Sequence, residues 1–236
     1  DSAQEQHHMF SDLDFGKQTL SDVSAWCQPI TAQEGAILIN TRVLQEAGLS
    51  MPNSLKDLAD PVYRDMISVT DLSSSSTAWL MVQALVDAYG EDGAEEVLTK
   101  IYENAGPHIE DSGSGPLKKV RAGEVAVGFG LRHQAVADKE EGLPVDYVDP
   151  QEGNFSLTES VAVLDRETPR KKLAMEMAQC IIENGREKLQ ETYPNALYKD
   201  EITDPENASA NPEVFNQKLT VELLEKHQKL SEECKK

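Results

Sequence analysis

The chain of 236 residues, 39% of them hydrophobic, is long enough for one large domain or for two small lobes that each bury a core. No stretch approaches the roughly 18 consecutive apolar residues that a membrane span needs, so an inserted helix is excluded. With 42 acidic against 22 basic residues the formal net charge is -20, a surface that repels phosphates at long range and excludes nucleic acid as a partner.

The first 35 residues carry little periodicity, and His7-His8 read as surface residues rather than as part of a metal site. Residues 35–40 are a short apolar run with the length and branching of a buried strand. A helical turn over 42–47 is stopped by Gly48, and 54–58 make a capped turn before Asp60-Pro61. Residues 66–70 read as a strand, and the run Ser73-Ser74-Ser75-Ser76-Thr77 follows at once. The helix beyond, 77–89, is apolar on nearly every side, with Gln83 and Asp87 as its polar stripe. Gly90 ends it, and a second helix covers 93–104.

The plan then repeats. Asp111-Ser112-Gly113-Ser114-Gly115 is a loop, Pro116 suits the first turn of a helix to Ala122, Gly123 closes it, and 124–130 is a strand. A helix over 133–141 ends at Gly142, before a strand at 145–148. Another strand, 160–164, precedes a long helix opened by Thr168-Pro169 and closed near Gly185. The tail from Asn211 is mostly helical, with Leu219, Leu223, Leu224 and Leu230 on its buried side. Strands alternating with helices at this spacing predict an α/β domain with a largely parallel sheet. The basic groups Lys118-Lys119-Arg121 and Arg170-Lys171-Lys172 read as solvated helix faces. The three cysteines, Cys27, Cys180 and Cys234, lack the short spacing of a zinc site or a redox pair, and Cys180, in an apolar stretch, is expected in the core.

The chemistry concentrates in the two small-residue loops. A helix start leaves backbone N–H groups unpaired and carries partial positive charge, so it favours an anion. Around Ser74, Ser75, Ser76 and Thr77 the small side chains let a ligand approach the backbone, and each hydroxyl adds a donor. Ser112, Gly113 and Ser114 offer the same ingredients before the second helix. Two such starts after strands of one sheet converge at its carboxyl edge, where α/β folds bind ligands. The competing reading is that both runs serve only as caps and loops. Catalysis finds little support: there is no Gly-x-Ser-x-Gly elbow, and the second loop lacks the Gly-Lys-Ser/Thr end of a phosphate loop. A hydrolase or transferase with His133 as base stays the catalytic alternative to a binding protein. No cofactor motif is present.

The order of these segments resembles the bacterial family 1 extracellular solute-binding proteins, closest to the ferric iron, 2-aminoethylphosphonate and sugar-phosphate type. The likeness rests on Asn40-Thr41 after an apolar strand, Ser54-Leu55-Lys56-Asp57-Leu58 with Asp60-Pro61, and Ser74-Ser75-Ser76-Thr77-Ala78. It continues through Ser112-Gly113-Ser114-Gly115-Pro116, Arg121-Ala122-Gly123-Glu124-Val125-Ala126-Val127-Gly128, Gly142-Leu143-Pro144-Val145, Glu152-Gly153 and Tyr193-Pro194-Asn195. The resemblance implies an α/β, periplasmic binding protein-like type 2 fold, bilobed, with mixed sheets flanked by helices. It puts residues 42–155 in one complete lobe, and 1–41 with 156–236, including the C-terminal helices, in a first lobe that is incomplete at its N-terminal part. Hinges are expected near 39–41 and 154–158.

By the same resemblance the protein is a non-enzymatic, monomeric component of an ABC importer that takes a small anionic solute between its lobes. A ferric iron carrier, or a sensor feeding a membrane histidine kinase in place of the permease, is the alternative. It is expected in the periplasm or outside the cell; without a signal peptide in the given sequence, the chain is cytoplasmic or a processed or trimmed form. Ferric members use adjacent tyrosines at the position where this chain has only Tyr193, which favours an oxyanion. By position, His133 and Glu152 or Glu159 would meet the polar remainder of the ligand.

Overall fold

The apolar run at 35–40 becomes the second half of a longer strand, β1 (Gln28–Asn40), in which residues 36–39 are fully buried. The computed structural model describes residues 28–164, 170–198, 201–203, 205, 207–217 and 219–235; His7-His8, Cys27 and Thr168-Pro169 lie outside them. After β1 come α1 (Thr41–Glu46), β2 (Ile67–Thr70), α2 (Thr77–Ala105), β3 (Ile109–Glu110), α3 (Gly115–Ala122), β4 (Val127–Leu131), α4 (Arg132–Glu140) and β5 (Val145–Val148). Then follow β6 (Asn154–Val161), α5 (Lys171–Thr192), β7 (Pro212–Glu213) and α6 (Val221–Cys234). The chain forms two compact units: a larger one of residues 34–156, 209–213 and 219–236, and a smaller one of 1–33, 157–208 and 214–218.

In the larger unit the strand order is β3-β2-β4-β1, with β5 also paired to β1. β2 runs parallel to β3 and β4, whereas β1 is antiparallel to β4, with Gly35 opposite Leu131 and Ile39 opposite Val127, and antiparallel to β5. The sheet is therefore mixed rather than largely parallel, because alternation of strands and helices does not set the direction of a strand whose neighbour lies far along the sequence. Side chains alternate across β1. Leu38 joins Leu117 and Val120 of α3, Ala135 of α4 and Val145 in one core cluster. Gly35 looks the other way: a Cβ there would lie 3.1 Å from the Cβ of Leu80 in α2 and 2.5 Å from the Phe129 ring. Helices thus cover both faces, which is why the strand reads as a continuous apolar run.

Asn40 ends β1 fully buried. Its Oδ1 accepts from the Val43 amide at 3.0 Å, capping α1, and its Nδ2 donates to the Val120 carbonyl at 2.8 Å. The two helices expected over 77–104 are both present within α2, and the break between them falls at Gly90, which leaves helical geometry with φ 70°.

The smaller unit packs Ala32, Ile182, Leu197 and Tyr198 together. Arg186 of α5 is buried there against Glu201, with Nε 2.7 Å from Oε1, and also donates to the Ile30 carbonyl. Three expectations fail in this part of the chain. The strand expected at 160–164 is centred earlier, at Asn154–Val161. α5 runs through Gly185 to Thr192, carried by the strong helix formers after that glycine. Cys180 is exposed, since the buried stripe of α5 is Ala178, Ile182 and Arg186 and position 180 faces away from it.

The C-terminal helix also differs from expectation. α6 belongs to the larger unit, not with the other lobe, and its buried seam is His227, Ser231 and Cys234 while the leucines are half-buried. Polar residues can fill a buried seam when each finds a partner. Here Trp79 Nε1 donates to His227 Nδ1 at 2.8 Å, and the Tyr102 and Ser231 hydroxyls pair at 2.6 Å.

Candidate functional site

Because β3, β2 and β4 are parallel neighbours, their carboxyl ends share one edge of the sheet, and each leads into a helix. β2 reaches α2 through residues 71–76, β3 reaches α3 through 111–114, and β4 passes directly into α4 at Arg132. Three helix N-termini, each with partial positive charge, therefore stand at that edge.

Asp71 shapes the first loop. Its carboxylate accepts from the Ser73 amide at 3.0 Å, and its carbonyl accepts from the Ser74 and Ser75 amides at 3.1 and 3.0 Å. Ser75 Oγ then accepts from the Thr77 amide at 3.3 Å. Among the described residues, the Ser76 amide and the hydroxyls of Ser74, Ser76 and Thr77 have no hydrogen-bond partner. In the second loop the hydroxyls of Ser112 and Ser114 pair at 3.1 Å, and the Gly113 and Ser114 amides are likewise unpartnered among the described residues.

The two loops touch. The Asp71 amide donates to the Glu110 carbonyl at 2.9 Å, and Thr70 Oγ1 donates to the Ser112 carbonyl at 3.4 Å. A Cβ on Gly113 would come within 2.3 Å of Thr77 Oγ1 and 2.8 Å of Ser75 Oγ, so glycine is what lets the loops meet. Gly115 makes similar room for the Glu110 side chain, whose carboxylate lies beside the first turn of α3. The structure thus brings Ser74, Ser75, Ser76, Thr77, Ser112, Gly113 and Ser114 together, as a set of N–H and O–H donors suited to an oxyanion.

Of the other sequence candidates, His133 shares this sheet edge, Glu152 does not, and Glu159 and Tyr193 belong to the smaller unit. His133 is half-buried at the second residue of α4, on the same sheet edge. Its neighbour Arg132 is committed to Asp149, with Nε 2.8 Å from Oδ1. Glu152 lies at a different corner of the larger unit. Its oxygens accept from the Leu55 amide at 2.8 Å, the Lys56 amide at 2.9 Å and the Tyr89 hydroxyl at 2.8 Å. A carboxylate so occupied caps the 3-10 turn Lys56–Ala59. Burial first, and then the hydrogen bond to Glu152 and its charge, push the Tyr89 phenol up to about 12. Glu159 and Tyr193 belong to the smaller unit, where Glu159 accepts from Thr31 Oγ1 at 2.6 Å and Tyr193 caps the end of α5.

The profile described as bacterial extracellular solute-binding protein matches residues 3–219. The chain belongs to that family. A Haemophilus influenzae relative, an uncharacterised protein, is 29% identical over 127 residues, covering 53% of this chain but 36% of the relative's length. Among solved structures, iron-bound HitA from Pseudomonas aeruginosa matches with a TM-score of 0.73 at 20% identity, over 99% of this chain and 76% of that one. AfuA from Actinobacillus pleuropneumoniae, with exogenous fructose-6-phosphate bound, matches with a TM-score of 0.67 at 21% identity, over 98% and 77%. The fold of these periplasmic binding proteins is the fold of this solute-binding family member.

Residues that sequence reasoning missed are Asp71, which orders the first loop, and Glu232 and Lys235 of the C-terminal helix, which reach it. Asp71 was findable: an aspartate two residues before a serine turn is the pattern of a side chain that caps the backbone ahead of it. Glu232 and Lys235 carry no such signal.

Proposed function

We propose that this family member is the extracytoplasmic binding component of an ABC importer and captures a small oxyanion, a phosphonate or phosphate ester, without turning it over. The observation that carries the reading is the convergence of unpartnered donors, the amides of Ser76, Gly113 and Ser114 and the hydroxyls of Ser74, Ser76 and Thr77, at one carboxyl sheet edge. Amide hydrogens and helix N-termini present positive charge to a ligand, so they stabilise an anion. Serine and glycine side chains keep the backbone accessible, which is what a phosphoryl or phosphonyl head requires.

Ferric iron is the second reading, favoured by the likeness to iron-bound HitA. Against it, a donor set of N–H groups repels a bare cation, and an iron site would have to recruit anionic oxygens from elsewhere. Isothermal titration calorimetry separates the two. Inorganic phosphate, 2-aminoethylphosphonate, fructose-6-phosphate and ferric citrate are titrated into the chain, and the same series into Ser76→Ala. Binding of one of the phosphoryl or phosphonyl compounds, weakened in Ser76→Ala, is expected. Heat with ferric citrate alone would refute the oxyanion reading.

A further inference from the structure

The serine loop is held from behind by the last turn of the C-terminal helix. Lys235 Nζ lies 3.0 Å from Asp71 Oδ1 and 2.6 Å from Glu232 Oε1, and Glu232 Oε1 accepts from Ser73 Oγ at 2.6 Å. With the bond from the Ser73 amide to Asp71 Oδ1 these contacts close a ring of four residues, two on the loop, Glu232 on α6 and Lys235 just past its end. Both ends of the Lys235–Asp71 pair are largely covered, at 20% and 15% side-chain exposure, so solvent screens it less than the open lysine pairs elsewhere on α6. Burial works against the Lys235 charge, but Glu232 and Asp71 outweigh it and hold the ammonium above the ordinary lysine range.

α6 is itself anchored one and two turns back. The bond from Trp79 Nε1 to His227 Nδ1 needs that ring nitrogen unprotonated, which puts the proton of the neutral ring on Nε2. Burial and Lys226, opposed by Glu91, keep the His227 pKa below its usual value and so favour the neutral ring. Tyr102 with Ser231 fixes the next turn. Trp79 stands in the first turn of α2, two residues past Thr77, so α6 grips both the loop and the helix start that it feeds.

We propose that Lys235 and Glu232 are positioning residues for the serine loop. Through Asp71 they hold residues 73–75 in the arrangement that leaves the hydroxyls of Ser74, Ser76 and Thr77 without a partner among the described residues. The family match ends at residue 219, before α6, so this role is not contained in the family assignment. Its consequence for affinity rests on the oxyanion reading above; its consequence for loop order does not.

The test uses the full chain as Lys235→Met, Lys235→Arg and Glu232→Gln, with two readouts. Hydrogen exchange measured by mass spectrometry, without ligand, should show the amides of 73–75 exchanging about tenfold faster in Lys235→Met, with Lys235→Arg near wild type. Calorimetry with the best of the phosphoryl and phosphonyl probes should show about tenfold weaker binding in Lys235→Met and recovery in Lys235→Arg, with the thermal midpoint little changed. Unchanged exchange in 73–75 overturns the positioning role whatever the ligand result. If the wild-type chain binds none of the probes, the oxyanion reading fails, and the exchange measurement still decides the role of Lys235.

Discussion

Two places in the larger unit start a helical turn after a loop, and they treat the exposed amides in opposite ways. At the turn Lys56–Ala59 the amides of Leu55 and Lys56 are met by an internal anion, the carboxylate of Glu152, which also takes the Tyr89 hydroxyl. At the serine edge the amides of Ser76, Gly113 and Ser114 and three hydroxyls have no partner among the described residues. The first place shows what an anion does for such donors in this fold, and the second has the donors with no carboxylate bonded to them. An anion arriving from outside would do there what Glu152 does at the turn. Polar residues of similar type thus separate into a bonded and an unbonded set by whether their bonds are already made, not by their chemistry.

Breaking the internal anion should have the largest effect on stability. Glu152→Ala strands the buried Leu55 amide, the part-buried Lys56 amide and a phenol, and is expected to lower stability by about 3 kcal/mol, read as a drop in the urea midpoint. Binding at the serine edge should be unchanged; if affinity falls in parallel with a still folded protein, the two places are not independent. The intermediate case is Gly113→Ala. Its Cβ must push Thr77 and Ser75 aside, so a loss of about 1–3 kcal/mol is expected from overpacking, together with a loss of probe binding out of proportion to the change in midpoint. A mild variant with normal binding would show that the loops need not touch to bind. The smallest stability effect belongs to Ser74→Ala. Its hydroxyl makes no bond among the described residues, so denaturation should shift by less than about 0.5 kcal/mol while affinity falls several-fold. A stability loss near that of Glu152→Ala would erase the distinction between spent and open donors.

The serine edge was legible because its signals are local. A strand, a run of hydroxyl residues and an apolar helix follow one another within 66–89, and a second loop with Ser112, Gly113 and Ser114 repeats the plan. The partners of Glu152 are not legible for the opposite reason: Leu55 and Lys56 lie 97 and 96 positions away, and no pattern in the sequence says that a carboxylate is already occupied. The buried side of α6 differs from the expected leucine face because its seam is polar. Apolar periodicity selects the leucines, whereas His227 and Ser231 are buried by virtue of hydrogen bonds to Trp79 and Tyr102.

The sequence by itself determined the helix starts of the larger unit after β2 and before Pro116, the turns that glycine must occupy at 48, 90, 123 and 142, and the two loops rich in donors, since each follows from residues within a few positions of one another. Only the tertiary structure decided that β1 runs against β4, that Glu152 is spent on a distant turn, and that Lys235 and Glu232 reach Asp71 and Ser73. These are pairings between groups far apart in the sequence, settled by which surfaces pack and which charges find partners, and no local propensity encodes them.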